Sequence, residues 1–538
     1  MLALALALQV SGAWPTPPGT PSTPSARAAS LDINPDYNPN SPHWSHINVL
    51  DFGRAARSIP DNTLRAQALN WYARHVDVIE SEMDNTTQTG PNTQSTYFHS
   101  LNPTLKTFGY DYDLTMCQNA HCNQSIPTPH PLFTNLPEDY YLHFSEDTQL
   151  EFRDLNGQAI ETVNISGCPE PQALTSSCRM QIFVWTQKRW VSNLQNSAWR
   201  QATADRFLQQ LQTNSAGQPN IIDGLFLDEH GPGIFGPLGF GHQVIILSGG
   251  GIREYAGQRP DDSAWPAYTQ LDQDYTTDMI GWLTYLRSRL EAAGKFLHIN
   301  VAEYFTDSLT FTTALAAKGG MTEHLNRADS NGLSSAAIYQ TLLGQIRQIT
   351  QAGGSVDLAG SPCNAGPVGF APGNYATGAE RYRMWSLASY YLAKEVVGDP
   401  GKVYFNPNLC VDYAGPNPMD FVTQWLAAYE VNVGLPVGEA TVFQQGTVSC
   451  AGTGYRVLGR QFEHALVLLR PRDAWGCNTF GDNTAVTVPL DGPRQMLKPD
   501  GTRSANIDSI SLRNGEAVIL FPAPDTTAPG TILDLSTI

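Results

Sequence analysis

IIDGLFLDEHG, residues 221–231, is a short apolar run that ends in two acids, a histidine and a glycine. A run of this length, rich in Ile, Leu and Phe and bounded by turn residues, predicts a buried strand. Asp228 and Glu229 then lie at the carboxyl end of that strand. Parallel α/β folds place their chemistry at this edge of the sheet. The stretch therefore predicts a parallel strand that delivers carboxylates to a functional edge.

Strand-like and helix-like segments alternate on both sides of this stretch. With the opening stretch as the fourth, eight segments predict strands: 46–52, 76–80, 105–112, 221–231, 296–301, 320–325, 356–360 and 403–406. The clearest helix between them has apolar residues at helical spacing, namely Met279, Leu283, Leu286 and Leu290, and Gly294 ends it. Eight strands that alternate with helices predict an α/β fold of the (β/α)8 TIM barrel type.

The pattern changes near residue 437, where short strands separated by Gly, Asn and Asp turns predict a small C-terminal all-β sandwich. We expect the barrel to span 31–436, with a last helix at 421–429. An insertion is expected at about 114–200, with a hairpin around Asp154. The sandwich spans 437–523, and the tail at 524–538 resembles the start of a truncated fibronectin type III module.

The charge balance restricts the partners of the chain. Its 538 residues carry a formal net charge of -18, with 15% charged and 10% aromatic residues. Nucleic acids and anionic membranes require a basic surface, so we expect neither as a partner. Residues 1–30 combine an apolar core with a Pro/Ser/Thr-rich linker, as in a signal peptide. A secreted protein with a neutral ligand is therefore expected, and its oligomeric state is left open.

The eight cysteines, together with a signal peptide, predict disulfides formed in an oxidising compartment. Sequence neighbours suggest the pairs Cys117 with Cys122, Cys168 with Cys178, and Cys450 with Cys477, which leaves Cys363 and Cys410. No pair has the two-residue spacing of a zinc knuckle, and no histidine pair accompanies them, so we expect no bound metal.

Alternation along the fourth strand distinguishes its two terminal acids. Leu225 and Leu227 suit the face that helices cover, and Phe226 and Asp228 then point toward the barrel axis. Glu229 falls on the rim. An unpaired carboxylate inside a barrel is costly, so Asp228 is expected to have a partner or a function.

Acids and amides also end most of the other predicted strands. Hydrolysis of a glycosidic bond needs two carboxyl groups, polar groups that hold sugar hydroxyls, and aromatic faces for the rings. The side chains that we expect to bind substrate are Glu82, Asp111, Tyr112, Glu229, Asn300, Tyr304 and Asn406. Tyr110 and Tyr404 are placed to supply further aromatic faces.

Residues 193–200 (NLQNSAWR), followed by 223–228 (DGLFLD), resemble a poorly characterised group of "hypothetical" TIM-barrel glycoside hydrolases. The helix at 382–394 and the segment 460–469 resemble the late barrel helix and the terminal β-domain of that group. The resemblance implies that Asp228 is a catalytic carboxylate. It also implies an acid/base on strand five or six, for which Glu303 and Glu323 are equal candidates.

The sequence therefore predicts a secreted glycoside hydrolase that acts on a polysaccharide or oligosaccharide without a cofactor. The alternative is a carbohydrate-binding pseudoenzyme that keeps the barrel and has lost a carboxylate. A metal-dependent hydrolase on the same barrel would need a His-X-His motif in strand one. Residues 43–46 (HWSH) have the wrong spacing for it and precede the strand.

Overall fold

The structure is a computed structural model and forms two compact units. It describes residues 47–53, 59, 61–81, 83, 93–111, 114–117, 136–154, 157–169, 174–184, 187–214, 216–228, 230–231, 233–234, 243–259, 269–301, 308–322, 336–359, 372–396, 401–407, 424–447, 454–471 and 485–524. The N-terminal unit contains the described residues of Ile59–Thr322. The C-terminal unit contains those of Asn40–Ser58 and Glu323–Ile538.

Helices and strands follow the predicted alternation. The described helices are α1 (Asn62–His75), α2 (Gln94–Leu101), α3 (Ser197–Gln212), α4 (Gln270–Ala292), α5 (Ser308–Ala317), α6 (Ala336–Gln351) and α7 (Gly378–Ala393). The described strands up to Asn406 are β1 (Leu50–Asp51), β2 (Val78–Glu80), β3 (Lys106–Asp111), β4 (Thr115–Cys117), β5 (Thr148–Arg153), β6 (Ala159–Ile165), β7 (Gln181–Val184), β8 (Gln187–Val191), β9 (Gly224–Leu227), β10 (Gln243–Ser248), β11 (Phe296–Ile299), β12 (Gly319–Thr322), β13 (Ser355–Ala359) and β14 (Lys402–Asn406). The later strands are β15 (Thr441–Gly446), β16 (Tyr455–Gln461), β17 (Leu466–Arg470), β18 (Val486–Leu497), β19 (Arg503–Leu512) and β20 (Glu516–Pro522).

All the strands predicted for the barrel are present, as β1, β2, β3, β9, β11, β12, β13 and β14, and a described helix lies between each and the next. In the N-terminal unit, β2, β3, β9 and β11 lie side by side in that order, and every pairing is parallel. A parallel bridge between Asn300 and Met321 connects the end of β11 to β12. Leu225, Phe226 and Leu227 of β9 have 0% exposure, so the predicted buried strand is confirmed.

Helices α3 and α4 pack on this sheet for reasons that are visible in the sequence. Asn196 caps α3, because its side-chain oxygen accepts hydrogen bonds from the backbone of Ala198 and Trp199 at 2.9 and 3.0 Å. Trp199 then meets Trp282 of α4 edge-on, with ring centroids 4.8 Å apart. The apolar stripe predicted for α4 is fully buried.

The predicted insertion forms the small antiparallel sheet β4-β8-β7 and contributes β5 and β6 to a second one, β10-β5-β6. The hairpin predicted around Asp154 is confirmed, because β5 pairs with β6 across it. Strand β10, which follows β9 in the chain, returns to pair with β5. The sequence did not predict this return, because the pairing joins residues far apart in the chain. Cys168 and Cys178 form a disulfide, as their spacing suggested.

The C-terminal unit begins with its own parallel strands. Strands β13 and β14 pair in parallel, and Val49 forms a parallel bridge to Phe405 of β14, just before β1. The backbone N–H of Asn48 donates to the Tyr390 hydroxyl of α7 at 2.9 Å. Residues before α1 are therefore fixed to strands that follow α6.

The chain after residue 437 is all-β in its described residues, apart from turns. Its strands form one antiparallel sheet in the order β15-β16-β17-β20-β18-β19. The sandwich was predicted from four short strands. In the described residues one sheet stands where a sandwich was predicted. Three of the predicted strands, now β18, β19 and β20, are longer than predicted, and β15 and β16 are additional. The central strands β17 and β20 are buried along almost their whole length.

Helix α7 is joined to this sheet by a buried arginine at its carboxyl end. Arg460 of β16 has 1% exposure, and its guanidinium donates to the backbone carbonyls of Tyr391 at 2.9 Å, Leu392 at 3.3 Å, and Lys394. A cation at a helix carboxyl end satisfies carbonyls that have no partner in the helix and opposes the helix dipole. The predicted late helix and the β-sheet therefore share one core.

The last predicted helix, 421–429, is wrong where the structure describes it. Residues Ala427–Glu430 form a short 3₁₀ helix. Ala428 and Tyr429 are buried there, so the apolar residues of the predicted helix are buried by a single turn. Among the helices in the described ranges, none combines the length and apolarity that a membrane crossing requires.

Candidate functional site

Three neighbouring strands place a layer of rings on one face of the N-terminal sheet. Tyr110 of β3, Phe226 of β9 and His298 of β11 are in register, and residues in register on adjacent strands share a face. The Tyr110 and Phe226 rings stack with centroids 5.8 Å apart, and the Phe226 and His298 rings stack at 5.6 Å. The sequence had placed Phe226 on this inward face. Its ring is the centre of the layer that underlies Asp228.

Asp228 follows β9 on the same face, and both of its carboxylate oxygens accept hydrogen bonds. The Tyr110 hydroxyl donates to Oδ2. The side-chain amide of Asn300 donates to Oδ1 at 2.7 Å. An ionised carboxylate is an acceptor only, and two donors from two strands hold it in one orientation. Asp228 is half-buried, so it reaches the surface of the unit at the strand ends.

The backbone reinforces this arrangement. The Asp228 N–H donates to the carbonyl of Asp111 at 3.1 Å. The His230 N–H donates to the carbonyl of Asn300 at 2.7 Å. The segment after β9 is therefore hydrogen-bonded to the ends of both neighbouring strands, so the side chains of Asp228 and Asn300 are presented by a fixed backbone.

Asn300 was predicted as a substrate-binding residue, and the structure brings it to Asp228. Asp111 was predicted for the same role and lies elsewhere. Its carboxylate faces Arg206 of α3, with 3.7 Å between the charged atoms. The face is opposite because Asp111 is one residue after Tyr110 in β3, and alternate residues of a strand point to opposite sides. Asp111 is thus placed to join strand to helix.

Six of the predicted site residues fall outside the described residues: Glu82, Tyr112, Glu229, Glu303, Tyr304 and Glu323. The same holds for the cysteines Cys122, Cys363, Cys410, Cys450 and Cys477. The main-chain course of Cys117 in β4 is described, and its predicted pairing with Cys122 lies outside the described residues.

Two buried polar residues on the Asp228 face were not selected from the sequence. Glu80 ends β2 in register with Phe108 and has 6% exposure. Its neighbour Glu82 was the residue predicted to bind substrate. The second is His298 of β11, which has 2% exposure. Burial lowers the pKa of His298 to about 3, so this imidazole is neutral at physiological pH.

The opposite end of β9 has a structural acid. Burial by itself would raise the pKa of Asp223, but hydrogen bonds from His99 and the Thr107 backbone, with Lys106 nearby, outweigh it and lower the pKa to about 2. The Thr107 N–H donates to Asp223 at 2.8 Å and the His99 ring contacts it at 3.1 Å. Asp223 therefore joins the start of β9 to β3 and α2, away from the end that carries Asp228.

The C-terminal unit carries the remaining predicted residue, Asn406, at the end of β14. Its side-chain amide donates to Oδ2 of Asp357 in β13 at 3.2 Å. Asp357 has 0% exposure, and within the described part of the chain its Oδ1 accepts no hydrogen bond. Burial raises the pKa of Asp357 well above its usual range, the Asn406 hydrogen bond opposes this, and the negative charge of Asp51 adds to it. Asn406 is thus a partner of a buried carboxyl group.

Metal binding was tested on the same residues. In the described ranges, no cluster of three or more His, Cys, Asp or Glu side chains is arranged to hold a metal ion. The donors around Asp228 are a phenol and a carboxamide, which are suited to hydrogen bonding with a carboxylate.

Comparison with known proteins gives distant structural likenesses only. No protein-family model matches the chain, and none of the curated proteins is significantly similar to it in sequence. The noncanonic maltogenic α-amylase AmyB from Thermotoga neapolitana is similar at a TM-score of 0.41 and 10% identity, over 89% of this chain and 99% of the other. An α-amylase from Geobacillus thermoleovorans, complexed with acarbose, gives 0.37 at 10% identity over 90% and 99%.

The α-galactosidase I of Mortierella vinacea gives a TM-score of 0.37 at 10% identity, over 89% of this chain and 98% of the other. At these TM-scores the likenesses carry no argument about fold or activity.

Proposed function

We propose that this protein is a glycoside hydrolase in which Asp228 is a catalytic carboxylate. The observation that carries the proposal is the pair of hydrogen bonds that Asp228 accepts, from Tyr110 and from Asn300 at 2.7 Å. Two neutral donors orient the carboxylate at the carboxyl end of a parallel strand. Sites of chemistry in parallel α/β folds lie at that end.

The hydrogen bonds assign a role to Asp228 within a two-carboxylate mechanism. A general acid must donate a proton to the leaving oxygen, whereas a nucleophile or base must be ionised. Both oxygens of Asp228 are acceptors, which suits the ionised form. Asp228 is therefore the nucleophile, or the base that activates water, and a second carboxyl group is the acid.

Glu303 and Glu323 remain the proposed acids, on the resemblance described above. The separation of the two carboxyl groups would then fix the stereochemistry, at about 5–5.5 Å for retention and about 6.5–9.5 Å for inversion. The fold that we propose for the eight alternating strands is a (β/α)8 barrel followed by an all-β C-terminal domain.

The proposed substrate is a neutral polysaccharide or oligosaccharide. A net charge of -18 disfavours polyanions, because like charges repel. The ring of Tyr110 is half-buried beside Asp228 and is the aromatic surface that we propose for a sugar ring. A panel of substrates identifies which sugar the protein recognises.

Turnover on a panel of aryl glycosides and neutral glycans tests the proposal. Release of reducing ends or aryl alcohol by the parent, and its loss in Asp228→Asn, is the expected result. Binding of glycans without turnover of any panel member would favour the carbohydrate-binding pseudoenzyme.

We also propose that the protein is secreted. The Cys168–Cys178 disulfide and the apolar N-terminal segment support an oxidising compartment. N-terminal sequencing of protein recovered from the medium of an expressing host tests this proposal. The expected start follows Ala13 or Ala28, and retention of the whole chain inside the cell would contradict it.

A further inference from the structure

We infer that His230 is a positioning residue for Asp228, and this inference rests on the function proposed above. His230 lies two residues after Asp228 and has 0% exposure. It was noted in the sequence only as part of the motif that ends the fourth strand. Its contacts connect the candidate catalytic carboxylate to that carboxylate's own donor.

Three hydrogen bonds connect three residues in a closed cycle. The amide of Asn300 donates to the Asp228 carboxylate at 2.7 Å. The backbone N–H of His230 donates to the Asn300 carbonyl at 2.7 Å. Nδ1 of the His230 ring lies 2.9 Å from the Asp228 carbonyl oxygen. Each residue of the cycle is thus hydrogen-bonded to the other two, and His230 makes two of the three contacts.

The partner of the ring nitrogen fixes the tautomer of His230. A carbonyl oxygen only accepts hydrogen bonds, so Nδ1 must carry the hydrogen. A side chain that offers a donor at the Nδ1 position can replace this contact. One that offers its donor farther from the backbone cannot.

The expected effect of His230 is on chemistry more than on substrate binding. The ring contacts the backbone of Asp228, and its full burial keeps it away from a ligand. Without this contact the segment keeps its backbone hydrogen bonds to Asp111 and Asn300 but loses the side-chain contact to the Asp228 carbonyl, and the Asp228 side chain can then shift away from the Asn300 amide. A misplacement of about 1 Å at a catalytic group costs on the order of 100-fold in rate.

A matched pair of amide variants tests the inference. The Asn side chain in His230→Asn places its N–H near the Nδ1 position, and the longer Gln side chain in His230→Gln places it near Nε2. We expect His230→Asn to retain kcat within about fivefold, and His230→Gln and His230→Ala to lose about 10- to 100-fold, with KM within about twofold. Equal kcat in the folded Ala variant and the parent would overturn the inference. So would an Asn variant that loses as much kcat as the Gln variant.

Crystal structures of the parent and of the Gln and Ala variants give a readout that does not depend on turnover. The expected change is a separation of Asn300 Nδ2 from Asp228 Oδ1 beyond about 3.5 Å in the variants. A hydrogen bond that survives in both variants would overturn the inference, even for an active enzyme. A parent protein that shows the cycle of hydrogen bonds and turns over no glycan would instead contradict the proposed function. If the Ala variant does not fold, the Asn and Gln pair decides.

Discussion

The side-chain amide of Asn300, at the end of β11, donates a 2.7 Å hydrogen bond to the carboxylate of Asp228, at the end of β9. The strands that carry them are parallel neighbours, with Ile299 in register with Leu227. The contact therefore depends on the register of two strands that are joined by a long connection in the chain.

Asn300→Asp preserves the shape of the side chain but replaces the donor with a second carboxylate. We expect kcat to fall about 100-fold, because a preorganised hydrogen bond is lost and a like charge is added. Steady-state kinetics of the variant give the measurement. Asn506→Asp, at an exposed position of β19, adds the same charge away from the site and should leave kcat unchanged. Equal losses of kcat in the two variants would contradict the role of Asn300 in orienting Asp228.

Tyr110→Phe removes only the hydroxyl that donates to Asp228. The ring stack with Phe226, at 5.8 Å between centroids, can remain. We expect kcat to fall about 10-fold, and the free energy of unfolding to change by less than about 1 kcal/mol. Urea titration and kinetics on the same preparations separate the two effects. A variant with parental kcat would show that Asn300 alone orients the carboxylate.

The sequence predicted the strands, the helices between them and the inward face of β9, because each depends on a local period. Phe226 and Asp228 were placed on one face by alternation alone, and the structure agrees. Tyr110 was expected to offer its ring to a sugar. That its hydroxyl also donates to Asp228 was not predicted, because this contact depends on the register between β3 and β9, which neither strand's sequence specifies.

Other features that the sequence did not predict also depend on contacts between distant parts of the chain. Asp111 was selected as an acid at a strand end, yet its partner is Arg206 of α3, because Asp111 has the opposite parity to Tyr110. Arg460 gave no local signal of burial, since only the docking of α7 on the sheet supplies its carbonyl partners. The role of His230 likewise could not be predicted, because it depends on the contact of its backbone with Asn300 at the end of β11.

Asp357→Asn should stabilise the C-terminal unit at neutral and alkaline pH. Burial raises the pKa of Asp357, so folding favours its neutral form. The contribution of this group to stability is fully present below the unfolded pKa of about 3.9, and it declines as pH rises toward the folded value. Asn is neutral throughout, so the variant should gain roughly 1–3 kcal/mol over the parent at pH 8 and little at pH 4.

Urea unfolding between pH 4 and pH 8 measures this difference. Asp508→Asn, at an exposed position of β19, is the matched control and should follow the parent at each pH. A gain that is the same at pH 4 and pH 8 would mean that the buried charge is not its cause.

Arg460→Met should destabilise the C-terminal unit by about 3 kcal/mol or more. The substitution keeps much of the apolar stem and leaves the buried carbonyls of Tyr391, Leu392 and Lys394 without their donor. Arg259→Met is the control, because that arginine is exposed and its ion pair with Glu146 is worth about 1 kcal/mol or less. Equal midpoints of urea unfolding for both variants would contradict the role given to Arg460.

The most direct test of the central claim is kcat of Asp228→Asn on the best substrate of the glycan panel. The substitution keeps the side-chain shape and removes the carboxylate that we propose as nucleophile or base. We expect kcat to fall on the order of 10⁴-fold in a folded protein, while Asp205→Asn, on the exposed side of α3, keeps the parental kcat. A folded Asp228→Asn enzyme with unchanged kcat would contradict the assignment of Asp228 as the catalytic carboxylate.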